Sequence, residues 1–479
     1  MQSYHNEART SCFRKITVKM SITPSTTQVR NRNKSTTIQS MIILALLFFI
    51  FGLVSWVNTI LVPYFQLTLQ LSNFQSSFVT FAFYIAYLVM AVPSSFLLNR
   101  VGYKRGMMFG LWCMAIGALL FVPAAYWRLY QLFLLGLFLL GVGLAILQSA
   151  ANPYVTIVGP IESAAKRMSI VGTGNKLAGV IANLIFAGVV IRESDKVLMR
   201  EIESGLYTGA TLETALDTLI KGVMTPYLIL AIALFIFGIV VRYSVLPELD
   251  PSVVNKRSAE DENSQKSIFQ YPALILGVIA MFFHIGTQMI ALATSIQYAG
   301  TMGESLAGPA KNIPSYTMLL TFLGYFIGII LIPRYLKQRN ALLICASLNL
   351  LLSVLIISTS GTVNFLGITS DISIWYLVMM GLPNALLYAG IWPLAINGLG
   401  KHTNLGSAFL VMALCGSAFM PMIYHSLVEL NSSLSPFAAM KYAYWILIPC
   451  FAYIVWYAAY GYRIRSWKKS GVIKNTVVS

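Results

Sequence analysis

Charged residues are scarce in this chain, and their scarcity excludes an ordinary soluble protein. Of its 479 residues only 10% are charged, whereas 57% are hydrophobic. Soluble globular domains usually carry about 25% charged residues. Such a composition, with long apolar runs, is typical of membrane proteins, in which roughly 20 apolar residues form each spanning helix.

Cysteine is also rare, and no two cysteines stand at the C-x-x-C spacing of metal and redox sites. The five are Cys12, Cys113, Cys345, Cys415 and Cys450. Four lie inside apolar segments, so we predict buried thiols rather than metal ligands or disulfides. The sequence shows no nucleophile–base pair or phosphate loop at an identifiable site, and we therefore predict neither an enzyme nor a bound cofactor.

Acidic residues are missing from the apolar segments. All 16 Asp and Glu residues fall in predicted loops, in a polar linker or near the termini. The ionisable side chains left inside the segments are Lys176 and His284. Lys176 stands about nine residues into its segment, roughly 14 Å along a helix axis. At that depth an ionisable group usually faces a cavity or a partner in the bundle, because exposing it to lipid is costly.

Two roles stay open for each of these side chains. Lys176 either bonds to helix carbonyls as a structural residue, or faces a central cavity where it binds a ligand or titrates. Its stem is too short to reach the membrane surface. His284 is either a satisfied buried histidine or a member of a proton relay. Both are therefore candidate coupling groups.

Twelve long apolar segments are present, and we number them span 1 to span 12. They lie near residues 41–65, 77–98, 106–127, 131–158, 167–191, 222–246, 270–298, 313–335, 339–359, 372–398, 404–428 and 439–463. A polar cytoplasmic linker at 247–269 divides them into bundles at 41–246 and 270–463. The sequence thus predicts an all-α membrane protein with twelve transmembrane helices in two pseudo-symmetric six-helix bundles.

Basic residues predict the orientation of the chain. With both termini in the cytoplasm, 25 of the 33 Lys and Arg residues lie in cytoplasmic segments, as the positive-inside rule requires. Residues 1–40 are then a disordered cytoplasmic segment, and 464–479 a cytoplasmic tail. The loop at 192–221, on the other side, is expected to hold a short amphipathic or surface helix. Because the net charge of +17 clusters at span ends, we exclude nucleic-acid binding.

Carboxamide and aromatic side chains recur inside the spans. Amides donate and accept hydrogen bonds, as sugar hydroxyls do, and transporters built from two repeats bind substrate near the midplane between them. The residues predicted to line such a site are Asn58, Gln148, Asn152, Asn175, Lys176, Gln288, Asn384 and Trp392. Amides and aromatic rings without carboxylates favour a neutral polar solute.

Several stretches resemble a known family. The string Gln-Ser-Ala-Ala-Asn-Pro-Tyr-Val-Thr at 148–156 is similar to the helix 4 signature of the fucose permease branch of the major facilitator superfamily. Residues 58–63, Asn-Thr-Ile-Leu-Val-Pro, and 225–227, Thr-Pro-Tyr, resemble the same branch in spans 1 and 6. The likeness extends from about residue 41 to 463.

The resemblance implies a bacterial inner-membrane transporter of a hexose, deoxyhexose or amino sugar that works by alternating access. Fucose symporters of this family use one carboxylate in helix 1 and another in helix 4, and this sequence has Thr59 and Gln148 there. Asn175 matches a family asparagine, whereas Lys176 replaces a small polar residue. The superfamily's acidic residue after helix 2 is Asn99 in this chain.

The missing carboxylates leave the energy source open. The chain is a uniporter that follows the sugar gradient, or it couples to sodium through carbonyl and amide oxygens, or Lys176 carries a proton. Lys176 without an internal acid also suits a carrier of an acidic sugar or another small organic anion. A sugar sensor that does not transport is a further alternative. One chain in the lipid bilayer suffices for this architecture, so we predict a monomer.

Overall fold

The structure, a computed structural model of the chain, describes nine stretches. They are residues 34–71, 73–158, 161–185, 197–199, 201–202, 206–246, 267–303, 312–365 and 367–467. Within these stretches, each of the twelve predicted spans lies in helix. The linker at 247–266 and the tail from 468 onward lie outside the described residues, so their predicted character stays a prediction.

The helices of the first six spans match the predicted segments to within several residues. Their bounds are Lys34–Thr68, Asn73–Val101, Tyr103–Leu119 continued by Phe121–Tyr126, Tyr130–Ile157, Ala164–Ile185 and Met224–Tyr243. The amphipathic helix expected between spans 5 and 6 is present at Ala210–Lys221. It buries Leu216 and Leu219 on one face and exposes charged residues on the other, as an apolar stripe at helical spacing requires.

The helices of the last six spans are more often interrupted. Spans 7 to 12 occupy Pro272–Gly300, Ile313–Leu331, Gln338–Ser358, Ile372–Met379 with Gly381–Ile396, Thr403–Met412 with Gly416–Leu430, and Pro436–Ala443 with Leu447–Ala459. Between spans 9 and 10 the chain forms an antiparallel hairpin of β1, Thr362–Phe365, and β2, Ile368–Asp371. Asp371 then caps span 10 by accepting a hydrogen bond from the Ser373 backbone N–H.

Span 1 begins earlier than predicted. Its helix starts at Lys34, so residues 34–40, which we had assigned to the disordered segment, are helical. These residues contain neither proline nor glycine, and extending an existing helix adds one backbone hydrogen bond per residue. Residues 1–33 lie outside the described residues.

Eleven segments of the described chain are long and apolar enough to cross a membrane. Span 5 is absent from that set although its helix has 22 residues. Asn175 and Lys176 at its centre lower its hydropathy. A helix of this kind is stable in a bilayer only where neighbours or a cavity receive its polar face.

The spans pack in a pattern that repeats after six. In the first half span 1 packs against span 5, span 2 against span 4, and span 3 against span 6. In the second half span 7 packs against span 11, span 8 against span 10, and span 9 against span 12. The recurrence of the same neighbours is what two pseudo-symmetric six-helix bundles produce.

The two ends of the bundle differ, and we name them by their contents. The basic end is where spans 2, 4, 8 and 10 finish, and it carries Arg100, Lys104, Arg334 and Lys337. The hairpin end carries β1, β2 and the helix Ala210–Lys221. At the basic end the halves touch, because the first part of span 11 packs against spans 2 and 4, and span 5 packs against spans 8 and 10.

Candidate binding site

A cavity of about 170 Å³ lies between the two halves. Spans 1, 2, 4 and 5 line it from the first half, and spans 7, 8, 10 and 11 from the second. This volume is below the roughly 300–1,000 Å³ typical of pockets for drug-sized ligands. The cavity therefore suits one small molecule.

The amides of the first half stand in hydrogen-bonded positions. Gln148 on span 4 donates from Nε2 to the hydroxyl of Tyr87 on span 2, at 3.2 Å. Asn175 on span 5 donates from Nδ2 to the carbonyl oxygen of Phe48 on span 1, at 3.3 Å. All four residues line the cavity. These bonds hold the amides in place, and a carboxamide has further donor and acceptor capacity for a ligand.

Lys176 and His284 face the same cavity from opposite halves. Lys176 follows Asn175 on span 5 and is 8% exposed, and His284 lies on span 7 and is 1% exposed. The His284 Nδ1 atom is buried without a hydrogen-bond partner among the described residues. Gln288, one helical turn beyond His284, also lines the cavity. Five of the nine sequence-predicted residues are thus brought together here.

Three predicted residues lie outside the cavity wall. Asn152 and Trp392 are fully buried, and Asn384 accepts a hydrogen bond from Asn349 Nδ2 of span 9 at 3.3 Å. Asn152 stands one turn from Gln148, and Asn384 and Trp392 each stand one turn from Tyr388, about 6 Å along the axis. On spans 4 and 10 the described cavity lining includes only Gln148 and Tyr388, and the residues a turn away pack against protein. Asn58, also predicted, has a side chain outside the described residues.

Tyrosines form much of the wall, and the sequence analysis missed three of them, Tyr84, Tyr87 and Tyr325. Tyr84 and Tyr87 on span 2 stack with ring centroids 6.1 Å apart. Tyr325 on span 8 and Tyr388 on span 10 face the cavity from the other half. The available signal was the spacing of three residues between Tyr84 and Tyr87, which places both rings on one helix face.

The cavity presents positive and neutral polar groups. No Asp or Glu is among its described lining residues, and the described residues contain no cluster of His, Cys, Asp and Glu suited to a metal ion. Amides and hydroxyls offer hydrogen bonds, tyrosine rings offer flat apolar surface, and Lys176 offers a cation. These groups suit a small polar molecule.

Comparison with known proteins agrees with this geometry. Residues 44–424 match the Major Facilitator Superfamily. A glucose/galactose transporter of Brucella abortus is 32% identical over 421 residues, covering 87% of this chain and 93% of the relative. An L-fucose-proton symporter of Escherichia coli is 30% identical over 387 residues, covering 79% of this chain and 84% of the relative.

Solved structures show the same architecture. The crystal structure of FucP, a transporter described in the outward conformation, has a TM-score of 0.72 at 27% identity and covers 88% of this chain. The proton:xylose symporter XylE has a TM-score of 0.61 at 12% identity, which shows likeness of fold alone. The predicted all-α membrane class with two six-helix bundles is thereby confirmed.

Proposed function

Because the chain belongs to the Major Facilitator Superfamily and its relatives are named transporters, we propose that it carries one monosaccharide across the inner membrane by alternating access. It is a multi-pass membrane transporter and not an enzyme. The sugar comes from the relatives, one named for glucose and galactose and the other for L-fucose. A hexose, deoxyhexose or amino sugar fits the site.

One observation carries the proposal, namely the polar cavity between the halves. Gln148 and Gln288 reach it from opposite halves, beside the stacked rings of Tyr84 and Tyr87. Amides match sugar hydroxyls, and tyrosine rings match the apolar faces of a pyranose. Since both halves contribute, rocking one against the other exposes the ligand first to one side and then to the other.

The positive-inside rule assigns the basic end and both termini to the cytoplasm. The halves touch at that end, which supports a state closed towards the cytoplasm. One chain contains both walls of the cavity, so a monomer suffices. Since no carboxylate is available among the described lining residues to exchange a proton, we propose uniport down the sugar gradient.

Sugar counterflow in proteoliposomes tests the function. Vesicles preloaded with unlabelled sugar exchange it for labelled sugar without any pH or sodium gradient, so counterflow isolates translocation from coupling. We expect counterflow with at least one member of a panel of neutral and acidic monosaccharides. Folded protein that exchanges none of them would contradict sugar transport. Net uptake that strictly requires a pH or sodium gradient would contradict uniport alone.

The substitution Gln148→Ala tests the site. It removes an amide that lines the cavity, and one hydrogen bond contributes about 0.5–1.5 kcal/mol. We therefore expect sugar affinity to fall about threefold to tenfold. Gln270→Ala, at an exposed glutamine outside the cavity, is the matched control and should leave affinity unchanged. Unchanged affinity in Gln148→Ala would mean that this amide serves helix packing.

A further inference from the structure

We propose that the sugar carried by this site bears a carboxylate, which binds beside Lys176 with His284 opposite. The proposal rests on the proposed function and narrows its substrate to an acidic monosaccharide, such as a uronate or a carboxylate-bearing amino sugar. It departs from the neutral solute that the amides and aromatic rings alone favour. The reason is that the described cavity lining includes a basic side chain, Lys176, and no acidic one.

Lys176 is positioned where only a ligand or a protein group can meet its charge. It stands 12 residues after the first residue of Ala164–Ile185, about 18 Å along the axis. Its side chain lines the cavity and is 8% exposed. An ammonium group held in a low-dielectric interior is strongly disfavoured unless an opposite charge and hydrogen bonds accompany it. A bound anion supplies that charge.

None of the acidic residues that the structure describes lies at the depth of Lys176. All 16 Asp and Glu residues lie outside the predicted spans. Those that the structure describes stand in the connections between spans or at span ends: Glu162, Glu201, Glu213, Asp217, Asp371 and Glu429. The described cavity lining therefore includes the Lys176 ammonium group and no carboxylate. A ligand with one negative charge neutralises the site.

His284 adds an independent observation from the other half. Its ring lines the cavity, is 1% exposed, and leaves Nδ1 buried without a hydrogen-bond partner among the described residues. Buried polar atoms are nearly always satisfied, so an unpaired one calls for an explanation. A ligand oxygen between spans 5 and 7 accepts from the Lys176 ammonium and from a protonated Nδ1. Both halves then hold the same charged group.

The remaining wall is suited to a sugar ring and not to a simple organic acid. Tyr84 and Tyr87 supply stacked aromatic faces, and Gln148 and Gln288 supply amides for hydroxyl groups. A cavity of about 170 Å³ suits one small molecule such as a monosaccharide. A monosaccharide with one carboxylate uses the aromatic faces, the amides and the cation together.

Binding measurements on matched sugar pairs test the proposal. Calorimetry on the purified full-length protein compares glucose with glucuronate, galactose with galacturonate, and N-acetylglucosamine with N-acetylmuramate. A hydrogen bond between charged groups is about twice as strong as a neutral one. We expect the acid of at least one pair to bind tenfold or more tightly than its neutral partner. Equal or tighter binding of every neutral sugar would overturn the proposal.

Variants of Lys176 test whether the preference for acidic sugars depends on the charge of this side chain. In Lys176→Met the ratio of acid to neutral affinity should fall to about one, and Lys176→Arg should retain part of it. Lys337→Met, at an exposed lysine of the basic end, is the matched control and should keep the full ratio. If Lys176→Met does not fold, Lys176→Gln gives the same comparison. A ratio that survives the loss of the ammonium contradicts the proposal.

Two additional ligands test which chemical groups of the sugar the site recognises. Gluconate has the carboxylate without the ring, and glucose 6-phosphate has the ring with a phosphate. Weaker binding of both than of glucuronate supports a ring carboxylate, and tighter binding of either overturns that assignment. If neutral sugars exchange in counterflow and show no disadvantage against acids, this inference fails while sugar transport stands. If no sugar of either kind exchanges, the proposed function fails.

Discussion

The contacts between the two halves differ in kind from those that hold each half together. At the basic end Tyr103 donates a hydrogen bond to Asn404, which in turn donates to Asn99, and these groups are neutral. At the hairpin end charged groups meet within one half: Lys441 lies 3.6 Å from Asp371, and Arg128 lies 3.1 Å from Asp217. A neutral hydrogen bond contributes about 0.5–1.5 kcal/mol, and one to a charged group about 1.5–3.

This difference fits a molecule that rocks as two rigid bodies. In alternating access the contacts between halves break once per cycle, so weak neutral bonds keep the barrier low. Contacts within a half persist, and charge strengthens them. Asn99 stands where the resemblance to the superfamily leads one to expect an acid, and its amide bonds to Asn404 without adding a charge to the interface. The comparison yields four predictions, two for the interface between the halves and two for a contact within one half.

Gly172→Ala should have the largest effect, because it adds a methyl group where spans 5 and 8 of opposite halves pack closely. A Cβ atom at Gly172 would lie 2.7 Å from the Tyr325 ring of span 8. Overpacking of this kind costs about 1–3 kcal/mol. The state closed at the basic end should become less populated, and we expect counterflow about fivefold to a hundredfold slower. Initial rates per folded molecule, in proteoliposomes of known protein content, measure the effect.

The control for this prediction is Gly300→Ala at the end of span 7. A Cβ there has no atom within 4 Å, so the rate should stay close to that of the unmodified chain. If Gly172→Ala transports at the same rate as Gly300→Ala, the Tyr325 ring moves aside at little cost. Close packing of spans 5 and 8 would then not limit the cycle.

The sequence predicts the spans well because a membrane-spanning helix is recognised from the length and apolar composition of one continuous segment. It also places span 5 correctly despite Asn175 and Lys176, since the apolar residues around them suffice for a helix. The site is harder to predict. Depth in a span selected Gln148, and depth also selected Asn152 one turn away, but on span 4 only Gln148 lines the cavity. Which turn of a span reaches the cavity depends on how the two halves meet.

The aromatic wall and the interface escaped prediction for related reasons. Tyr87 and Tyr325 do not stand out in the sequence, because aromatic rings are common in membrane helices. Their contribution appears once the packing of the halves brings both rings to the cavity. The bond between Asn404 and Asn99 joins positions about 300 residues apart in sequence, and a single sequence contains no signal for such a pair. Local pattern predicts elements, whereas contacts between halves come from tertiary structure.

Lys441→Met tests a contact within one half and leaves the interface between the halves unchanged. Lys441 donates to the Thr359 carbonyl at 2.6 Å and to the Ser360 hydroxyl at 2.8 Å, beside Asp371. The substitution keeps the stem and removes the charge, and we expect a loss of about 1–3 kcal/mol in stability. Thermal unfolding in detergent should therefore occur at lower temperature, with the transport rate per folded molecule preserved. An exposed lysine, Lys337→Met, serves as control.

The pH dependence of stability should also report on the contact between Lys441 and Asp371. Burial opposes the charge of Asp371, but hydrogen bonds from Ser373 and Gly361 and the Lys441 ammonium outweigh it and lower the pKa of this carboxyl. A group with a lowered folded-state pKa stabilises the fold above its unfolded pKa and loses that effect as pH falls through the folded pKa. Lys441→Met removes one lowering cause and brings the folded-state pKa closer to the unfolded one, so the variant should lose less stability than the unmodified chain as pH falls. Identical pH profiles would exclude the ion pair as a contributor.

Tyr103→Phe should have the smallest effect, and it is the most selective test of the interface. It removes the hydroxyl that bonds to Asn404 and keeps the buried ring. Because one neutral hydrogen bond contributes about 0.5–1.5 kcal/mol, the closed state should lose about twofold to tenfold in population relative to the open one. Asn404→Ala removes the same partner, so in a double-mutant cycle the two changes should not add. A detergent-stability loss as large as that of Lys441→Met would mean that Tyr103 holds its own half together, and the contrast between neutral interface and charged halves would not stand.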